Sequence, residues 1–323
     1  MINESLAATS DTLFSIAVGL YSLAVVAFCA ELAFGGRTAP ARELVAAGGG
    51  PVEQPVVPAG GAADDEPARA RRWGMVAMAL TVLGAVVQAG VLLTRGLATG
   101  RLPWGNMYEF GTAVVLVAVV VYLVLAVRTP SLRHIGIFVL APVVLSMVGI
   151  GLFLYASAGP LVAALRSAWL AVHVTTAILG FGIFFVSGIA SVMYLVRSRY
   201  EAKVAAGEQP LSRIVHRLPG AAALDRTAHR TAVFGFPIWT FAVIAGAIWA
   251  ESAWGRFWGW DPKETWAFIA WVVYAAYLHA RTTAGWRGRP SAWINVVGLG
   301  VMVFNLLYVN MVSTGLHSYG GLN

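Results

Sequence analysis

Trp254-Gly-Arg-Phe-Trp-Gly-Trp-Asp-Pro-Lys-Glu-Thr-Trp266 puts four tryptophans and a phenylalanine into thirteen residues between two strongly apolar segments. So much flat aromatic surface at a membrane face suggests a platform for a large planar ligand. The alternative is an interfacial aromatic belt, because Trp is enriched where membrane proteins meet the headgroups. Belts are scattered over many helix ends, whereas these residues share one loop with Gly255 and Gly259. The stretch also ends in a helix start: Asp261 can cap, Pro262 suits the first position, and Glu264 falls three residues after the cap.

Working outward, the flanks are membrane segments. Of 323 residues, 59% are hydrophobic and only 11% charged, and the mean hydropathy is +0.74. A soluble core of that composition would lack a polar shell. A span needs about 20 mainly apolar residues, and eight stretches meet or approach that: 12–34, 73–93, 108–127, 135–156, 168–196, 231–250, 264–280 and 291–313. The expected fold class is therefore all-α, a polytopic membrane protein of about eight transmembrane helices. Residues 1–34, without a basic leader or a small-residue cleavage site, read as a retained first helix. Residues 35–72, rich in Ala, Gly and Pro, read as a flexible cytoplasmic linker.

The net charge of +7 is a topology signal and not a nucleic-acid footprint. Loops 35–72, 128–134, 197–230 and 281–290 carry 17 of the 22 Lys and Arg residues, which marks them as cytoplasmic. Both termini and the tryptophan loop 251–266 then face outward. The single cysteine, Cys29, excludes a disulfide, a CxxC redox pair and a CxxCH site within the chain. Two Lys against twenty Arg suggest a GC-rich bacterial genome, and hence a bacterial cell membrane.

Histidine depth narrows the chemistry. His134, His216 and His229 fall in segments read as cytoplasmic loops. His173 lies roughly 9 Å into the fifth span from its outer end, and His317 follows the last span on the same side. Two imidazoles beside an aromatic surface suit haem iron, and an ionisable residue within a span calls for a functional hypothesis. His279 lies roughly 26 Å from Pro262 along the seventh helix, too far to share that metal. It either snorkels beside Arg281 or forms half of a second haem site whose other ligand comes from another polypeptide. Asp261 is explained by its cap, with a place in the haem-binding set or an acid–base role as the alternative. Arg256 and Lys263 either pair with haem propionates, Arg256 being favoured by its place in the cluster, or are solvated. In Pro103-Trp-Gly-Asn-Met-Tyr-Glu109, Asn106 can cap a helix whose first turn holds Glu109, which leaves a ligand role for Glu109 as the alternative.

The Trp-Gly-Trp-Asp-Pro-Lys-Glu-Thr-Trp run, the flanking His173 and His317, and the Pro-Trp-Gly-Asn-Met-Tyr-Glu loop together resemble the haem-handling family of cytochrome c maturation, in its system II branch of CcsA/ResC type. The resemblance covers about 70–320, so 73–323 is expected to be a haem-handling transmembrane domain. It implies haem b as transported substrate, with presentation of its vinyl groups to the CxxCH thiols of an apocytochrome c on the extracytoplasmic face. It implies His173 and His317 as ligands of an outer haem iron, held edge-on against Trp254, Trp258 and Trp260, and His279 as ligand of an inner haem. The second inner ligand would belong to a CcsB/ResB-type membrane partner. A thioredoxin-like thiol reductase is a further expected partner, beside membrane lipid. Fused versions of the system carry a large extracytoplasmic domain and a partner segment, which this sequence lacks, so attachment is expected only from the complex. The alternatives are a haem exporter or chaperone without ligation activity, and a b-type membrane cytochrome, which would pair histidines within one chain at two depths.

Overall fold

The computed structural model describes residues 2–35, 65–161, 165–208 and 215–317, and these form eight long α-helices with no strand among them. In chain order they are α1 Glu4–Phe34, α2 Asp65–Thr99, α3 Met107–Arg128, α4 Gly136–Phe153, α5 Ala168–Ala205, α6 Ala221–Trp254, α7 Pro262–Thr282 and α8 Arg289–Met311. Seven are long and apolar enough to cross a membrane. The exception is α7, whose ends carry Lys263, Glu264, His279 and Arg281. It nevertheless packs between its neighbours, with Trp239 of α6 donating to the Ala267 carbonyl at 3.3 Å and Tyr274 against Gly298 of α8.

Backbone groups inside a helix are satisfied locally, which is why an apolar chain resolves into helices in lipid. What remains polar ties helices to each other. Tyr21 on α1 donates to Gln88 on α2 at 2.6 Å, and Gln88 donates to the Thr112 carbonyl of α3 at 2.8 Å. Asn295 on α8 donates to Ser187 and Ser191 on α5 at 2.9 and 2.8 Å. Such bonds contribute about 0.6 kcal/mol each in membrane interiors, so close packing carries most of the association.

Two apolar cores result. One joins α1 through α4 around Tyr21, Phe28, Tyr122 and Met147. The other joins α3 to α5 through α8 around Phe184, Trp239 and Tyr274, with Phe184 stacked on Tyr274 at 3.5 Å. Helix α3 contributes to both. A smaller cluster of Leu165, Leu170, Trp249 and Trp254 lies where α5 begins and α6 ends.

The helices overshoot the apolar stretches. Of the stretch expected as linker, 36–64 lie outside the described residues, while 65–72 are already helical. Likewise α5 continues to Ala205 and α6 begins at Ala221, inside the expected loop 197–230. Apolar length measures the hydrocarbon layer, but a helix continues past it where polar side chains support the next turn. Arg197 pairs with Glu201 one turn on at 2.8 Å, and Glu201 also accepts from the Ala221 N–H at 3.1 Å.

Alternation of direction brings both ends of the described chain and the tryptophan loop to one end of the bundle. The Asn3 N–H donates to the Ala98 carbonyl at the end of α2, and Lys263 at the start of α7 donates to the Asn305 carbonyl near the end of α8. The basic end is opposite, where Arg133 pairs with Glu31 and Arg281 with Asp225.

Candidate functional site

Helix α6 ends at Trp254 because Gly255 takes the left-handed conformation, φ +70°, which returns its N–H to the Glu251 carbonyl at 2.8 Å. Helix α7 then starts with both halves of a capping box. Asp261 accepts from the Lys263 N–H at 3.2 Å, and Glu264 accepts from the Asp261 N–H at 3.0 Å. Glu264 does more than cap. It also accepts from the Gly259 N–H at 2.9 Å and from Arg256 at 3.2 Å, so one carboxylate gathers the whole loop. A Cβ at Gly259 would land on the Arg256 guanidinium. Trp260 has φ +58°, a conformation costing a bulky residue about 1–3 kcal/mol, which this gathered loop sustains.

Asp261 also reaches beyond its own helix. It accepts from the Leu316 N–H at 2.8 Å and stands 2.8 Å from His317 Nδ1. A carboxylate can only accept, so His317 donates from Nδ1 and keeps Nε2 as a lone pair. Burial works to raise the Asp261 carboxyl, but the bonds from His317, Leu316 and Lys263 outweigh it and hold the group below its usual range. The cap legible at Asp261 is thereby extended: the carboxylate caps α7 and orients a histidine 56 residues away.

His173 on α5 is held in the same fashion by a different acceptor. Its Nδ1 lies 2.8 Å from the Ala242 carbonyl of α6, which leaves Nε2 free. Gly246, one turn further along α6, makes room for the ring, since a Cβ there would come within 2.7 Å of it. Between the two imidazoles stands Trp249. It stacks on His173 at 5.8 Å and 11°, and meets His317 edge-on at 5.6 Å. Trp254 adds a second edge contact to His317 at 4.9 Å. Both histidines line a cleft of about 50 Å³ with Trp258, Phe257, Lys263 and Glu264. A neighbouring cleft of about 110 Å³ adds Trp104, Asn106, Trp249 and Asn310. Among the described residues no three His, Cys, Asp or Glu side chains converge as a metal cage. The arrangement offers two imidazole donors and an aromatic wall.

The model for the cytochrome c assembly protein family matches residues 104–317, which hold every element of this site. Curated relatives agree. The cytochrome c biogenesis protein CcsA of Guillardia theta is 35% identical over 263 residues, 75% of this chain and 85% of that one. Its counterpart in Synechococcus elongatus is 36% identical over 274 residues, 72% and 83% of the two chains.

The chain belongs to the cytochrome c assembly protein family.

Its role accordingly lies in cytochrome c biogenesis. A solved structure described as the cytochrome c haem lyase CcmF shares the fold, with a TM-score of 0.61 at 16% identity. The alignment covers 93% of this chain and 46% of the CcmF chain.

Against that family background, the other residues singled out from sequence divide. His173, His317, Trp254 and Trp258 come together. Trp260 stands apart on the rim, 65% exposed, touching Trp258 and Phe268 edge-on at 5.7 and 6.1 Å. Arg256, favoured from sequence as a propionate partner, is held by Glu264 and lies over the Trp254 ring at 5.9 Å. Glu109 lines neither cleft. It is fully buried and binds Arg101 at 2.7 Å, Arg95 at 3.3 Å and the Gly105 N–H at 2.7 Å. His279 is exposed near the opposite end of α7.

His229, expected in a loop, lies on α6, half-buried and edge-on to Tyr277 of α7 at 6.4 Å. The two residues from buried Tyr277 to His279 turn the helix by about 200°, so His229 and His279 address different faces. The residue at the centre of this arrangement that sequence reasoning missed is Trp249. It lay inside an apolar stretch, and its signal was the spacing of Ala242, Gly246, Trp249 and Ala253 on one face of α6.

Proposed function

We propose that this chain delivers haem b to the extracytoplasmic face of a bacterial membrane and presents it there for thioether attachment to apocytochrome c. One observation carries the reading: two imidazoles from separate elements flank one tryptophan, and each has Nδ1 committed to an acceptor and Nε2 left to bind iron. That is the tautomer a haem ligand needs. The residues fit haem in donor type and in aromatic lining. The clefts themselves are smaller than the ~300–1,000 Å³ of ordinary ligand pockets, so a macrocycle enters only as Trp249 and the loop move aside.

The chain's contribution to attachment is to hold the iron and orient the porphyrin edge, so that catalysis is proximity and orientation. The CxxCH thiols add across the vinyl groups, and the histidine of that motif replaces one of the two imidazoles. A thioredoxin-like reductase keeps the thiols reduced. The exposed His279 at the basic end is the inner haem ligand, completed by a CcsB/ResB-type partner. This chain is then one subunit of a cytochrome c synthase.

The test is the visible absorption spectrum of the chain purified with its partner, for wild type, His173→Ala, His317→Ala and His279→Ala. A reduced bis-histidine spectrum that loses one population in either outer variant and a different one in His279→Ala supports the relay. A colourless wild type, or three variants with the full spectrum, overturns it.

A further inference from the structure

The haem reading leaves open which group recognises the carboxylates of the substrate, and sequence favoured Arg256. The structure points elsewhere. Arg256 has a carboxylate partner in Glu264, whereas Lys263 has none within 4.0 Å among the described residues. The two acids beside it in sequence are both engaged, Asp261 by His317 and Glu264 by Arg256. The Lys263 ammonium donates once, to the Asn305 carbonyl at 3.0 Å. An ammonium has three donors, so two are open. It is also the cation that lines both clefts together with His173 and His317.

A second donor lies in the same place. Trp104 lines the larger cleft, and its indole N–H is buried with no hydrogen-bond partner. A buried donor without an acceptor is costly, by about 1–3 kcal/mol, and a half-buried ammonium with no carboxylate beside it also favours an anion. Two such donors lining one cleft beside the iron-binding pair call for an anionic acceptor from outside the chain.

We propose that Lys263, with the Trp104 indole N–H, receives a propionate carboxylate of the bound haem. The proposal rests on the haem reading and specifies how the substrate is oriented. In haem the propionates and the vinyls occupy opposite sides of the macrocycle. A propionate held at Lys263, between α7 and α8, turns the vinyl side away from that wall and toward the incoming thiols. Lys263 is thus a binding residue whose effect on attachment is regiochemical.

The test compares haem with haem dimethyl ester, which has the same ring and iron but no carboxylate. Both are titrated by absorbance into the purified full chain as wild type, Lys263→Gln and Lys263→Arg. Wild type is expected to prefer haem by about tenfold or more, the worth of a charge-assisted bond. Lys263→Gln should lose that preference by binding haem more weakly and the ester unchanged, and Lys263→Arg should keep most of it. Equal discrimination in wild type and Lys263→Gln overturns the proposal while the haem reading stands. Equal weakening of both ligands in Lys263→Gln also overturns it, because Lys263 would then only support the fold. A wild type that binds neither ligand removes the haem reading itself, and this proposal with it.

Discussion

Two loops at the same end of the bundle are built on one plan. Trp104-Gly-Asn-Met-Tyr-Glu109 leads into α3, and Trp258-Gly-Trp-Asp-Pro-Lys-Glu264 leads into α7. In each, the glutamate at the third helical position reaches back to a glycine N–H, at 2.7 Å in the first and 2.9 Å in the second. In each, an arginine eight residues earlier closes on that glutamate. The caps differ: Asn106 accepts only from its own helix, at the Glu109 N–H, while Asp261 also takes Leu316 and His317. The counter-charges differ as well. Arg95, 1% exposed, adds a second ion pair to Glu109, whereas Arg256 alone serves Glu264 and is 31% exposed. The same local device is thus closed on itself at α3 and left with a free hand at α7. A carboxylate cap has a second oxygen to spare for an imidazole Nδ1–H and the charge to strengthen that bond.

The comparison is broken most directly at the two glutamates. Glu109→Ala leaves buried Arg95 with only the more exposed Asp11, 3.4 Å away, and takes the carboxylate from Arg101 and the Gly105 N–H as well, a loss near the lower end of the ~3–5 kcal/mol of a broken buried pair. Glu264→Ala frees an arginine that water already reaches and orphans two backbone donors, a cost of about 1–3 kcal/mol. Thermal unfolding of the purified chain in detergent should therefore show a clearly larger drop in midpoint for Glu109→Ala. Equal drops would mean that the two clasps carry equal structural weight. Glu264→Ala should, in turn, be the variant with the larger loss of bound haem.

Caps sharpen the contrast at lower energy. Asn and Asp cap helices about equally well, so Asp261→Asn can keep the α7 cap, but one oxygen in place of two loses an acceptor among Lys263, Leu316 and His317 and removes the charge opposite the imidazole. Loss of a carboxylate behind a ligating histidine weakens binding about 10–100-fold. Haem affinity measured by titration should fall by that factor in Asp261→Asn, with only a small drop in the unfolding midpoint. The reciprocal Asn106→Asp should leave the unfolding midpoint unchanged. A haem affinity untouched in Asp261→Asn would reduce Asp261 to the simple cap that its local sequence describes.

How much of this could be read beforehand follows from which interactions are local. Helices were legible because apolar length answers to hydrocarbon thickness, and the α7 cap because Asp-Pro-Lys-Glu is contiguous. The depth of His173 and His317 was legible for the same reason, each being counted from a helix end. The acceptors behind the imidazoles were not. One is a backbone carbonyl at Ala242, which has no side-chain signature, and the other joins positions 261 and 317. Trp249 was hidden because an aromatic in a membrane span blends with its apolar neighbours. For Arg256, proximity in sequence points to the tryptophans and not to Glu264, whose pairing with it depends on how the loop folds back. His229 was misplaced because α6 begins ten residues before its apolar run, in turns that carry Asp225, Arg226 and Arg230.

The smallest expected effect isolates the charge itself. The Asp261 carboxyl is held below its usual range in the folded chain, so the folded state binds fewer protons there than the unfolded state. The resulting stability is complete above the unfolded value, about 3.9, and is lost as pH falls through the lower folded value. Other acids of the chain also take up protons in this range, which makes a single curve uninformative. The difference between wild type and Asp261→Asn removes them, because both chains share every other acid. Plotted against pH, the difference in unfolding midpoint should shrink as pH falls below about 4. A difference that stays constant into strong acid would assign the hold on His317 to the shape of the loop and not to the charge on Asp261. The two clasps would then differ in geometry alone.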